Sequence, residues 1–306
     1  MSRKPAPGKP HAAKGAALPD VIRGGLWMMG ATGSWVFVAG IARHFTGEIH
    51  TFELVFFRSI FGAVFIAPWL MRVGIGVMFT GRIWMHFLRG MLGVSTIYLL
   101  FGALALAPMG DVSAIIATRP LIAAFGAVLI LGEVANGRRW VATIVGLVGA
   151  LIIIRPGASG VSLGTALALT AVIGMAALSL VIKSLSRTEP PDTIVAWQMV
   201  VFTPISLIPA LFVWTTPDWK QLILLVLMGL FGTLNQRCLT RAYAAADATA
   251  VLPFDFTRLP FAAILGFILF GEFPSVWTWV GGVVIFVCVL WMAQLEARAG
   301  RKLTAG

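Results

Sequence analysis

Acidic side chains are scarce here, 12 Asp and Glu in 306 residues, and cysteine, tyrosine and histidine are scarcer still at two, two and four. Each shortage excludes something. Cys238 and Cys288 both fall in apolar stretches, which excludes a disulfide framework and a cysteine-rich metal site. The four histidines are scattered and no His-Glu-x-x-His or Gly-x-Gly-Asp run occurs, so metalloprotease and intramembrane aspartyl protease chemistry has no constellation to work with. The chain is expected to be no enzyme and to hold no metal or cofactor. Long polar segments are also missing, which leaves no room for an extramembrane domain.

What remains is apolar. Hydrophobic residues make up 59% of the chain and charged residues 11%, with a mean hydropathy of +0.93, well beyond the composition of a soluble domain. Runs of about 20 apolar residues, enough to cross a bilayer core of roughly 30 Å, are read at 24–43, 50–72, 83–106, 110–131, 136–155, 162–184, 192–214, 218–243, 247–270 and 275–295. The expected fold is an all-α membrane protein with ten transmembrane helices. Residues 1–23 read as a disordered basic cytoplasmic tail, with no cleavable signal peptide, and 296–306 as a second cytoplasmic tail.

A net charge of +11 and a pI near 10.8 would suggest nucleic acid in a soluble protein, but the distribution argues against that partner. With both termini inside, 15 basic residues, among them Arg72, Arg82, Arg138, Arg139 and Arg187, lie in inside segments, against Arg43, Arg155 and Lys220 outside. That is the positive-inside pattern. The other five, Arg58, Arg89, Arg119, Arg237 and Arg258, fall within spans.

The chain repeats itself. Thr118-Arg119-Pro120 is echoed 139 positions later by Thr257-Arg258-Leu259, and the same shift lays Gly90 on Gly229, Gly93 on Gly232, Ala103 on Ala242, Gly132-Glu133 on Gly271-Glu272 and Trp140 on Trp279. The copies are read as 24–155 and 162–295, divided by the breaker-rich Arg155–Gly160 stretch. Five spans per copy force the second copy to run the opposite way, so the repeats are expected to be inverted, a recurring plan of secondary transporters with a site at the midplane.

Arg119 and Arg258 sit near the middle of their spans, where an unpaired guanidinium costs at least ~2.5–3.5 kcal/mol. Asp255 shares a helix face with Arg258 three residues on, and Arg119 needs Asp255 or Glu53 as its counter-charge. Arg58 adds a further cation. These five groups are the candidate substrate site, with Trp35, Tyr98, Asn235, Gln236 and Arg237 as further lining residues. Guanidiniums in excess suit a carboxylate, a phosphate or a zwitterion. Glu53 or Asp255 could carry protons. Pro120, Pro253 and Pro260 flank the arginines and predict kinks. A channel would want charge rings or a filter loop, and neither is evident.

Leu131-Gly132-Glu133, its echo Phe270-Gly271-Glu272 and the preceding Leu106-Ala107-Pro108 resemble the drug/metabolite transporter superfamily in its EamA branch, over about residues 24–295. Within it, His50 to Arg58, His86-Phe87-Leu88-Arg89-Gly90 and Asp247-Ala248-Thr249-Ala250 look like the S-adenosylmethionine uptake transporter group, from whose pattern the two Thr-Arg pairs depart. The resemblance implies an EamA basket of ten helices. It also implies transport of a small organic metabolite by alternating access across a bacterial inner membrane. Riboflavin-type import and amino-acid export occur among similar proteins. The expected partners are the metabolite and the lipid bilayer, with the protein a monomer or homodimer.

Overall fold

The computed structural model describes residues 20–45, 47–106, 112, 115–133, 137–154, 162–271 and 276–304. Among them every regular element is helical: α1 (Asp20–His44), α2 (Thr51–Val73), α3 (Ile83–Leu106), α4 (Arg119–Leu131), α5 (Gly137–Ile154), α6 (Leu163–Ser186), α7 (Pro191–Leu211), α8 (Trp219–Ala245), α9 (Ala248–Val251), α10 (Arg258–Phe270) and α11 (Val276–Thr304). Two 3-10 segments, Ile75–Met78 and Leu252–Thr257, complete the set. Among the described residues, seven helical stretches are long and apolar enough to cross a membrane by length and composition, with Ala248–Leu269 counted as one. Helix starts carry the expected signals. The Asp218 carboxylate accepts from the Gln221 amide at 2.7 Å while the Gln221 side chain accepts from the Asp218 amide at 3.0 Å, and Ser162 with Thr165 builds the same reciprocal box at α6.

Two expected boundaries move. The first helix begins at Asp20, inside the stretch read as a tail, and α11 continues to Thr304 through the residues read as the second tail. In both places helical hydrogen bonding extends past the apolar run, because a backbone helix needs no apolar side chains once it leaves the bilayer core. Residues 1–19, the 155–161 boundary and Glu272 lie outside the described residues.

The ninth run is not one helix. α9 gives way at Pro253 to the 3-10 segment Leu252–Thr257, and α-helix resumes only at Arg258. Proline lacks the amide that an α-turn would use, which accounts for the break there. The fourth run behaves alike where described: a helical turn at 115–117, a turn at Thr118, then α4 from Arg119. Both α4 and α10 have 13 residues and end on a left-handed glycine, Gly132 at φ 67° and Gly271 at φ 65°, a conformation that favours glycine.

Packing between helices comes largely in matched pairs. α1 lies on α8 and α3 on α6; α2 meets α8 and α3 meets α7; α1 meets α10 and α4 meets α6. The remaining large contacts are α2 with α7 and α5 with α11. The main buried cluster is built from small residues of α4 and α5 (Ala123, Ala124, Ala127, Ala142, Ala150) closed by Tyr243, Phe254, Phe256 and Ile285. Large apolar side chains such as Ile130, Ile173 and Phe286 point outward.

The α5–α11 contact needs two glycines. A Cβ on Gly281 would lie 2.5 Å from both the Gly149 carbonyl oxygen and Ile153 Cγ1, whereas one on Gly282 would meet nothing within 4 Å. Gly281→Ala is therefore expected to destabilise the protein by about 1–3 kcal/mol through overpacking. Gly282→Ala should be neutral, as read from thermal melting of the purified protein.

Candidate functional site

The Thr-Arg echo turns out to be a matched piece of backbone chemistry. Thr118 Oγ1 donates to the Ile115 carbonyl at 2.6 Å, and Thr257 Oγ1 donates to the Phe254 carbonyl at 2.7 Å. Each hydroxyl meets a carbonyl three residues back where the helix is interrupted, and each following arginine is the first residue of the resumed helix. Thr257 also lies 3.0 Å from Thr32 Oγ1, which ties the interruption to α1.

Both arginines reach one carboxylate. Arg119 Nη2 is 2.5 Å from Asp255 Oδ1, and Arg258 Nη2 is 2.8 Å from the same oxygen and 3.1 Å from Oδ2. Asp255 is carried on the 3-10 segment, all six residues of which are buried. The break at Pro253 therefore positions the acid, and the two resumed helices position the bases. Two guanidiniums on one carboxylate leave a formal charge of +1, while Nε of both arginines is buried without a hydrogen-bond partner. Side-chain exposures of 12% for Arg119 and 21% for Arg258, against 7% for Asp255, leave the arginines the more reachable members.

Arg58 is buried on α2, its guanidinium 5.7 Å from the centre of the Trp35 ring, a cation–π contact. Among the described residues it has no acidic partner. Tyr98 packs edge-on against Phe52 at 5.0 Å with its hydroxyl buried and unpartnered. Asn235 donates to the Ala31 carbonyl at 2.7 Å, joining α8 to α1.

Other expected site residues lie elsewhere. Glu53 is fully buried at the start of α2, where its carboxylate accepts from the Thr215 amide and, at 2.8 Å, from the Thr215 hydroxyl. It holds the loop between α7 and α8 and is not the counter-charge of Arg119. Gln236 accepts from Arg89 at 3.1 Å, and Arg237 grips Asp192 with Nε at 2.6 Å and Nη2 at 3.0 Å. Arg241 joins the same carboxylate at 3.1 Å. Depth along a helix follows from hydropathy, but the direction a side chain faces follows from its neighbours, which is why these residues part from the central group.

The same end of the bundle is laced further. Glu133, at the end of α4, accepts from the amides of Ala248 and Thr249 at 2.9 and 3.0 Å and from the Thr249 hydroxyl at 3.1 Å. It thus satisfies the free amides at the start of α9. Lys183, at the end of α6, donates to the carbonyls of Tyr243 and Ala246 at 3.0 and 2.6 Å. Arg139 pairs with Asp247 at 3.2 Å, and Arg82 reaches Ser184 and Thr188. At the opposite end, Glu53 is tied to Thr215 and Glu48 to Gln221. Glu133 was visible in the sequence only as part of a repeated Gly-Glu; its capping role and the Asp192 triad carried no spacing signal.

Two blocks of this chain, residues 22–155 and 162–294, each match the model of the EamA-like transporter family. The chain belongs to that family. It is a multi-pass membrane protein that transports a small metabolite. A riboflavin transporter of Rhizobium johnstonii is 33% identical over 92% of this chain and 94% of its own length. A riboflavin transporter of Vibrio cholerae is 32% identical over 92% and 96%. An S-adenosylmethionine uptake transporter of Rickettsia bellii is 30% identical over 86% and 90%. A crystal structure of 17% identity superposes with a TM-score of 0.75, covering 90% of this chain and 98% of that one, which speaks to the fold.

Proposed function

We propose that this chain is an alternating-access carrier of ten membrane spans in two inverted repeats, and that it binds an anionic or zwitterionic organic metabolite at Arg119, Asp255 and Arg258. The observation that carries the reading is the shared carboxylate: two partly buried guanidiniums converge on Asp255 from the matched fourth and ninth spans. An incoming carboxylate completes their neutralisation, with guanidinium able to bind it through two parallel hydrogen bonds. The double family match and the paired helix contacts support the inverted repeat. Trp35, Tyr98 and Asn235 are the adjoining groups through which the rest of the ligand would be read.

The lacing by Glu133, Lys183, Arg139 and Asp192 lies at the end that the positive-inside rule assigns to the cytoplasm. The conformation described is then closed to the cytoplasm, and the carrier sits in the inner membrane with both termini inside. The names of its relatives bring riboflavin and S-adenosylmethionine to this chain as the first ligands to test. Of the two, S-adenosylmethionine carries the carboxylate that the arginines call for.

A thermal-shift screen of the purified protein against amino acids, nucleosides, vitamins and organic acids tests this. Carboxylates are expected to raise the melting temperature, and the methyl ester of any hit is expected to bind at least about tenfold worse, a loss of one charge-assisted hydrogen bond. Hits drawn only from compounds that carry no carboxylate or phosphate group would overturn the anion-binding part of the reading.

A further inference from the structure

Arg58 is 93% buried and among the described residues has no hydrogen bond or ion pair to any protein group; its 7% residual exposure and the Trp35 ring are all that meet its charge. Beside it is a cavity of about 10 Å³ between α2, α7 and α8, lined by Arg58, Ser59, Gln198, Met199, Phe202 and Gly232. Three polar atoms of those residues are buried there with no partner: Arg58 Nε, Ser59 Oγ and Gln198 Oε1. Ser59 and Gln198 are themselves 3% and 6% exposed. Gly232 is required for the arrangement, since a Cβ there would lie 2.8 Å from Arg58 Nε.

We propose that this cavity is a binding site for one small inorganic anion of the size of chloride, separate from the organic-ligand site at Asp255. A buried cation in a membrane calls for an opposite charge, and among the described residues no acid supplies it. The volume admits one water-sized or halide-sized guest and excludes a carboxylate attached to a metabolite. Donors surround the guest: Arg58 Nε–H, the Ser59 hydroxyl, and the Gln198 amide, which offers its NH2 when turned by 180° about its last bond, an isosteric change. Met199 and Phe202 close the site with apolar surface, which keeps bulk water from screening the pair. The site does not depend on which metabolite is carried.

The test uses the full chain in nanodiscs, melted in sodium chloride, sodium bromide and sodium methanesulfonate at constant ionic strength. The melting temperature is expected to rise saturably with chloride and bromide but not with methanesulfonate, which is too large for the cavity. The response should be absent in Arg58→Gln and shifted to at least about threefold higher halide in Ser59→Ala, which leaves the arginine in place. Arg258→Gln should keep the response in full. If Arg58→Gln does not fold, Ser59→Ala and Gln198→Leu carry the comparison. A halide response lost in Arg258→Gln and kept in the Arg58-site variants places the anion at the Asp255 group and overturns the proposal. No response in any halide means that the cavity holds water, which overturns it equally.

Discussion

Asp255→Asn is expected to harm folding far more than Arg119→Ala or Arg258→Ala, although all three abolish transport. In the native arrangement both guanidiniums lean on Oδ1 of the same carboxylate, at 2.5 and 2.8 Å. Neutralising Asp255 leaves two cations converged in a site whose arginines are 12% and 21% exposed. Removing one partner from a buried ionic group costs about 3–5 kcal/mol because the remaining charge is uncompensated. Deleting one arginine has the opposite bookkeeping: what is left is one cation on one anion, formally neutral, and for Arg258→Ala the Arg119–Asp255 pair persists. That variant should insert and melt close to the parent while losing the charge that recruits an anionic ligand. A lost buried charge-assisted contact of about 2–5 kcal/mol corresponds to at least ~30-fold in affinity. Melting of Asp255→Asn, Arg258→Gln and the double variant closes the cycle. The double variant, which leaves Arg119 as one unpaired cation in place of two, is expected to recover part of the stability lost by Asp255→Asn alone, and strict additivity would show that the three groups do not act as one.

The second large effect is expected at Glu133, which acts as a latch. Its carboxylate takes two amides and a hydroxyl at the start of α9, so it ties the end of α4 to the turn between α8 and α9. Hydrogen bonds to a charged group are worth roughly 1.5–3 kcal/mol each, and stripping the carboxylate strands buried amides as well. Lys183 and Arg139 stay in place and hold the same turn through the Ala246 carbonyl and Asp247, so the helix bundle persists while this end loosens. In a Cys288→Ala background, Cys238, 5% exposed on α8, is expected to react with a water-soluble maleimide ten- to a hundredfold faster in Glu133→Ala than with Glu133 intact. Equal labelling rates would show that the latch does not close this end.

How much of this could be read from the sequence depends on which physical quantity each residue reports. Hydropathy reports depth, and the apolar runs fall on helices among the described residues, with Arg119 and Arg258 each opening a 13-residue helix. Repetition reports shared local geometry, and Thr118 with Thr257 makes the same bond to the carbonyl three back in both halves. Neither reports azimuth. Glu53 had the depth to serve Arg119, yet it faces Thr215. Arg237 had the depth of a cavity residue, yet it is held by Asp192, 45 residues earlier, across a contact that only the packing of α7 on α8 creates. Pro253 announced a break in the ninth span, but the switch to six 3-10 residues that carries Asp255 between two arginines depends on tertiary packing around a fully buried segment.

Counter-flow in proteoliposomes, comparing the native chain with Arg258→Ala at matched insertion, tests the central claim most directly. The native protein, preloaded with unlabelled ligand from the thermal-shift screen, is expected to accumulate the labelled form transiently and saturably. Arg258→Ala should accumulate none above empty liposomes. Equal counter-flow by both proteins would contradict the account.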